Sequence, residues 1–282
     1  MKNHLNKKKL VIAYIGPKSI LAKSFVKCYR NDYIFKPYIG DITNYKKLNL
    51  WLVENTDINI LINFAAITST SACEKNKKKA LDVNFKSVTK LLNLLNNIKM
   101  NNFNYFLSLS TSHVFKKSSF KLTESSEKNP TNYYGISKLA LEEYISKNKK
   151  KFKFRIGVAR IFNYYNLGAK KGFFVNDIIK KLILKKKLIT FNNVNSYRDF
   201  ISMKDINTAL FTMINLRLIN EYNVCSGEKI YLPDIIYLFN KKFKKNISIL
   251  SNRRDDCIIG SNAKLKSKGW NFTKKSFYEL FK

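Results

Sequence analysis

Cysteine, histidine and acidic residues are scarce in this chain of 282 residues. The four cysteines, Cys28, Cys73, Cys225 and Cys257, lie far apart and form no Cys-x-x-Cys pair, so nothing suggests a zinc ligand set or a disulfide framework. The two histidines, His4 and His113, are too few for a histidine-based metal site, and no metal is expected. Long apolar runs are missing too: none approaches the ~20 residues that a membrane-crossing helix needs. After the basic start, Met1 to Lys9, only about six apolar residues precede Gly16-Pro17, too few for the apolar part of a secretion signal. The expectation is a cytoplasmic chain with no membrane partner.

Acids number 19 against 53 lysines and arginines, a formal net charge of +34. Such a surface attracts polyanions: nucleic acid, anionic membrane or phosphorylated ligands. The lysines are spread along the chain rather than gathered in a block, and Asn and Ile are abundant as well. That pattern reads as a compositional bias, and no nucleic-acid recognition motif accompanies it, so no specific nucleic-acid partner is expected. Hydrophobic residues make up 45% and aromatics 14%, enough to bury a full core and to exclude wholesale disorder. The length suits one large domain or a large and a small one.

In chain order, apolar runs alternate with helical patterns. Leu10 to Ile15 reads as a buried first strand, followed by the small-residue turn Gly16-Pro17-Lys18-Ser19 and a helix to about Cys28. Strand, tight turn and helix is the arrangement that puts phosphate on a helix N-terminus. The spacing Gly16, Ser19, Ala22 imitates Gly-x-x-Gly-x-x-Gly, with only the first glycine kept. Tyr33 to Phe35 reads as a second strand. A cation just after this strand would suit a ribose 2′-phosphate, an acid the 2′-hydroxyl. Lys36 stands roughly there and no acid does, which favours NADP over NAD. Asp41 of Gly40-Asp41-Ile42-Thr43 can accept from an adenine amine, and Thr43 or Asn44 caps the next helix. A third strand, Ile58 to Phe64, ends in Ala65-Ala66, small enough to let a ligand lie against the backbone. One helix is expected from about Ala72 to Ile98, carrying Asn84. A fourth strand, Phe103 to Ser110, ends in the hydroxyl cluster Ser110-Thr111-Ser112-His113. A fifth spans Phe152 to Arg160. Repeated β-α order is the signature of a parallel sheet wrapped by helices. Beyond Arg160 a helix near Val175 to Leu184, a strand from Leu188 to Phe191, helices opening at Lys204-Asp205 and Leu232, and a strand Tyr222 to Ser226 are expected.

Tyr133-Tyr134-Gly135-Ile136-Ser137-Lys138 carries the chemistry. Tyr134 and Lys138 are four apart, on one helix face one turn apart, behind a cap at Thr131 or Asn132. An ammonium beside a phenol favours the phenolate, so such a tyrosine can give or take a proton near neutral pH.

Together these landmarks resemble the extended short-chain dehydrogenase/reductase family of nucleotide-sugar epimerases, dehydratases and 4-keto reductases. The resemblance rests on Gly16-x-x-Ser19-x-x-Ala22, Gly40-Asp41-Ile42, Asn63-Phe64-Ala65-Ala66, Asn84, Ser110 to Phe115, Tyr134-x-x-x-Lys138, Arg160 to Asn163, Arg198-Asp199-Phe200 and Gly269-Trp270. It implies a Rossmann-type doubly wound parallel sheet (α/β), with residues 1–165 binding NADP or NAD and an interleaved, small C-terminal α/β substrate-binding region at 166–282. It implies Tyr134 as proton donor or acceptor, Lys138 as the group that lowers its pKa and holds the nicotinamide ribose, and Thr111 as a hydrogen-bond donor to the reacting oxygen. Gly16, Ser19, Ile20, Lys36, Asp41, Ile42, Phe64, Ala65, Ala66 and Phe162 would line the cofactor. Asn84, Asn163, Arg198 and Arg254 would contact a nucleotide-sugar substrate. Ser112 and His113 stand where the 4,6-dehydratases carry an Asp-Glu pair, which argues against water elimination. The implied activity is reduction of a 4-keto nucleotide sugar. A 4-epimerase with tightly held NAD and a non-catalytic dinucleotide-binding protein are the alternatives, and a homodimer is implied by resemblance only.

Overall fold

The computed structural model describes residues 9–165, 195–243, 256–273 and 277–278. The expected helix at Val175 to Leu184, the strand at Leu188 to Phe191, and Arg254 lie outside the described residues. The chain forms two compact units. The first comprises residues 1–110, 131–159 and 213–220, the second residues 111–130, 160–212 and 221–282.

The main sheet is built from β1 (Val11–Ile15), β2 (Ile34–Tyr38), β3 (Ile60–Asn63), β4 (Tyr105–Thr111), β5 (Arg155–Ile161) and β9 (Asn220–Val224), in the order β2-β1-β3-β4-β5-β9. β1 runs parallel to both β2 and β3, and β3 runs parallel to β4. Strands covered on both faces need apolar side chains on both, which is why β1 and β3 read as continuous runs rather than alternating ones. Val11, Ala13 and Ile15 pack on one face against Leu48 and Leu52 of α2 (Tyr45–Glu54), Leu91, Leu92 and Leu95 of α5 (Ser87–Asn97), and Leu141 and Ile145 of α6 (Tyr133–Asn148). The opposite face carries Tyr14, edge-on to Phe35 and Phe64, while Phe25 of α1 (Ile20–Tyr29) contacts the same two rings. The strand order reverses between β1 and β3, and open α/β sheets bind ligands in the crevice at such a point, beyond the carboxyl ends of the strands.

Two expected elements differ. The single helix over Ala72 to Ile98 is instead α3 (Thr70–Lys75), α4 (Lys77–Leu81), a π-helical turn (Asp82–Lys86) and α5. Asn76, at φ −138° and ψ 78°, breaks the first two apart, and its side chain caps α4 by accepting from Lys79 N at 2.9 Å. The second strand runs on to Tyr38, with Lys36 in mid-strand beside Ala13.

In the second unit, β7 (Ser196–Arg198) pairs antiparallel with β10 (Ile230–Tyr231) and parallel with β11 (Asp256–Ile258). β6 (Asn163–Tyr165) pairs with β8 (Phe200–Ser202). α7 (Met203–Asn215) and α8 (Leu232–Phe243) begin where the acidic first-turn residues Asp205 and Asp234 suggest, and α9 (Ala263–Lys266) is one turn.

Candidate active site

In the first unit the switch point is closed by backbone. Gly16 sits at φ +82°, a conformation only glycine adopts at no cost. A Cβ there would come within 2.7 Å of Ala65 N and 3.0 Å of the Phe64 carbonyl carbon. Phe64 N donates to Ile15 O at 2.9 Å, so β1 and β3 stay paired up to this approach. Ser19 N closes the turn onto Gly16 O at 2.9 Å, and α1 opens at exposed Ile20 with no side chain capping it. Ala65 N donates to Asn63 Oδ1, while Asn63 Nδ2, fully buried, has no partner. A glycine cradle, an uncapped helix N-terminus and a leftover amide donor gather at one carboxyl edge. These are groups that accept the diphosphate of a dinucleotide.

Asp41 follows β2 and takes Thr43 N and Thr43 Oγ1 on one oxygen, both at 2.8 Å. Those bonds hold its carboxyl below the usual range, so it remains an acceptor. Ile42 beside it is buried. Lys36 does not belong with them. Its ammonium pairs with Asp57 at 2.8 Å, and Asp57 precedes β3, at the amino end of the parallel strands. The expectation of a 2′-phosphate ligand at Lys36 is therefore corrected: the side chain is spent on the opposite edge of the sheet.

Helix α6 begins at Asn132, whose side chain accepts from Gly135 N at 2.9 Å, while Glu74 Oε1 accepts from Tyr133 N at 2.7 Å. Both satisfy N–H groups that a helix start leaves open. Tyr134 packs with Cys73 and Ala80, and is 8% exposed. One turn on, Lys138 is 3% exposed and donates to Leu109 O at 2.7 Å. Burial draws its pKa down to about 8, with Glu142 and then Cys73 opposing that fall. Between them Ser137 is fully buried, donates to Tyr134 O at 2.8 Å and accepts from Asn84 Nδ2 at 3.0 Å.

Asn84 was expected on the substrate, and the structure gives it another task. It is fully buried in the π-helical turn, accepts from Ile67 N at 2.8 Å, and donates to both Ile67 O and Ser137 Oγ at 3.0 Å. Both amide hydrogens are used, so no donor remains for a ligand. The residue ties the loop after β3 to α6.

The second unit holds the other expected residues. Thr111 ends β4, is buried, and its hydroxyl oxygen accepts from His113 N at 3.3 Å. Phe162 is buried against Phe115, with ring centroids 6.2 Å apart, and a Cβ on Gly260 would meet its ring at 2.7 Å. Asn163 opens β6, and Arg198 closes β7 with one guanidinium nitrogen on Tyr197 O at 2.9 Å. Asp199, between β7 and β8, was named only within the landmark Arg198-Asp199-Phe200 and given no role. It is fully buried and accepts from Ser226 N at 2.7 Å, Ser226 Oγ at 2.6 Å, Gly227 N at 2.8 Å and Gly260 N at 3.2 Å. Burial pushes its carboxyl up to about 6 against those four bonds. It fixes the corner from which Arg198 extends. Ser110 and Glu142, both buried, are joined by a 2.5 Å hydrogen bond that the sequence reading did not foresee, although the four-residue step from Lys138 to Glu142 was there to be read.

The family model described as "NAD dependent epimerase/dehydratase family" matches residues 17–225. The chain is 32% identical over 168 residues to the GDP-6-deoxy-D-talose 4-dehydrogenase of Aggregatibacter actinomycetemcomitans, an alignment that covers 56% of each chain. It is 26% identical over 232 residues to the GDP-6-deoxy-D-mannose reductase of Pseudomonas aeruginosa, covering 74% of each. The match thus spans little more than half the length of the first relative. Among solved structures, RMD from Pseudomonas aeruginosa complexed with NADPH superposes with a TM-score of 0.79 over 94% of both chains at 22% identity, a likeness of fold. With residues 17–225 of 282 inside the family model, the chain belongs to the NAD dependent epimerase/dehydratase family.

Proposed function

We propose that this chain is an NAD(P)-dependent oxidoreductase that reduces the 4-keto group of a nucleoside-diphosphate sugar. The observation that carries the reading is the buried Lys138, fixed to the Leu109 carbonyl one helical turn from the buried Tyr134. A phenol there can release its proton to the oxygen of the carbonyl being reduced, and the neighbouring ammonium stabilises the phenolate left behind. When bound, the dinucleotide supplies the hydride. Gly16, Ser19, Ile20 and the strand end at Phe64, Ala65 and Ala66 would hold its diphosphate, while Asp41 and Ile42 would hold its adenine. Thr111 would hydrogen-bond the reacting oxygen, Phe162 and Asn163 would flank the reacting groups, and Arg198 with Arg254 would pair with the sugar nucleotide's diphosphate, for which a guanidinium fork is suited. In this reading residues 1–165 serve the dinucleotide and 166–282 the substrate, in a cytoplasmic homodimer with no specific nucleic-acid partner.

Lys138 is an ammonium below a pH of about 8 and loses its charge above it. Activity that needs the charge falls as pH rises through that value. The GDP-6-deoxy-hexose names of the two curated relatives described above support a GDP-linked 6-deoxy-4-keto-hexose as the first substrate to try. With Lys36 engaged elsewhere, NADP is no longer favoured over NAD by that residue.

The test begins with the cofactor released on denaturing the purified protein, then titrates the empty protein with NADPH and NADH. The expected result is an empty protein that binds a reduced dinucleotide and oxidises it when the keto sugar is added. Tyr134→Phe should lower turnover by roughly 10²–10⁴-fold and leave dinucleotide affinity within about twofold. Released NAD, with sugar interconversion but no net oxidation, would make the chain a 4-epimerase. Failure to bind either dinucleotide at micromolar concentration would remove the enzymatic reading.

A further inference from the structure

Glu142 takes no part in the reaction as proposed, yet it is a carboxylate buried to 3% exposure. Two consecutive residues of β4 hold two residues of α6 that are four apart. The Leu109 carbonyl accepts from Lys138 at 2.7 Å, and the Ser110 hydroxyl donates to Glu142 at 2.5 Å. The i,i+4 step puts Lys138 and Glu142 on one helix face, and Tyr134 one turn before them shares it. An ammonium enclosed in protein is costly unless an opposite charge stands near it.

We propose that Glu142, anchored by Ser110, is a positioning residue for Lys138: it holds the positive charge on the ammonium that the Leu109 carbonyl fixes in place. The proposal rests on the role given to Lys138 in the proposed function. The titratable groups acting on the ammonium are Glu142 on α6 and Cys73 on α3. Of the acidic influences on Lys138, Glu142 is the largest, ahead of Cys73. Without the carboxylate, the ammonium would lose its proton at a lower pH, and Tyr134 would lose its support at working pH. Ser110 contributes by fixing where the carboxylate stands.

The test follows Lys138 itself, in protein free of cofactor, by NMR with ¹³C at the lysine Cε carbons. The resonance missing from Lys138→Met identifies it. Glu142→Gln should move its midpoint down by about one unit. Ser110→Ala keeps the charge but frees the carboxylate, and should move the midpoint the same way by less. Should Glu142→Gln not fold, Ser110→Ala carries the test alone. A midpoint unchanged in the variants that fold overturns the proposal whatever the activity. The dinucleotide titration judges the enzymatic reading separately: a shifted midpoint in a protein that binds neither NADPH nor NADH would keep the Glu142–Lys138 coupling and sink the assigned reaction.

Discussion

Gly16 shows how much a single residue decides. Its left-handed backbone and the 2.7 Å gap to Ala65 N leave room for no side chain, because the atoms in the way are backbone and cannot swing aside. Gly16→Ala is therefore expected to cost at least about 1–2 kcal/mol from the dihedral alone, and more from the displaced β3 end. Urea unfolding measures the loss, and a dinucleotide titration should show weaker binding in the same variant. A variant as stable as the parent would mean that the turn opens freely, and the phosphate cradle would lose its basis. Lys36 is the opposite case. Its position near the second strand suggested a ligand, but strand length decides where a side chain lands, and three further residues of strand beyond Phe35 leave it beside Asp57.

At the scale of elements, the π-helical turn at Asp82–Lys86 is the part with most consequence. The wider turn carries Asn84 where its amide clasps Ile67 on both backbone groups and reaches Ser137. Asn84→Ala leaves those buried groups unsatisfied and should destabilise the fold by about 2–3 kcal/mol in urea unfolding. In the folded fraction, KM for the sugar nucleotide should be unchanged. A raised KM with unaltered stability would return Asn84 to the substrate. The strands were legible because a parallel sheet buries both faces and writes apolar runs. The caps at Asn44 and Asn132 were legible to within one residue. The break at Asn76 was not, since a lysine-rich stretch that favours helix on both sides hides a single cap. Nor could apolar periodicity find the buried face of α6, because that face contains Ser137, Lys138 and Glu142. The tyrosine–lysine spacing found it instead. Asp199 escaped because its partners, Ser226, Gly227 and Gly260, are distant in sequence and meet only in the fold.

For the whole molecule the question is what a net charge of +34 does. It does little to hold the fold. The ion pairs seen among the described residues, such as Lys36–Asp57, Lys86–Asp82 and Lys116–Glu127, are exposed, and exposed pairs contribute about 0–1 kcal/mol each. With 19 acids against 53 bases, at least 34 cations have no acid to themselves. Their joint field repels the chain from itself and attracts anions at a distance, and both dinucleotides and sugar nucleotides are anions. The field is long-ranged only in dilute salt: the screening length is about 10 Å at 0.1 M and about 3 Å at 1 M. Raising sodium chloride from about 20 mM to about 500 mM should therefore slow NADPH association by roughly tenfold or more. Dissociation should change by less than about twofold, because contacts made inside the cradle are screened far less than the approach to it. Stopped-flow fluorescence separates the two rates. An association rate indifferent to salt would show that the lysines are a compositional habit with no part in capture. A salt effect confined to dissociation would place the responsible cations against the ligand itself, and Arg198 and Lys138 would then be the first to replace.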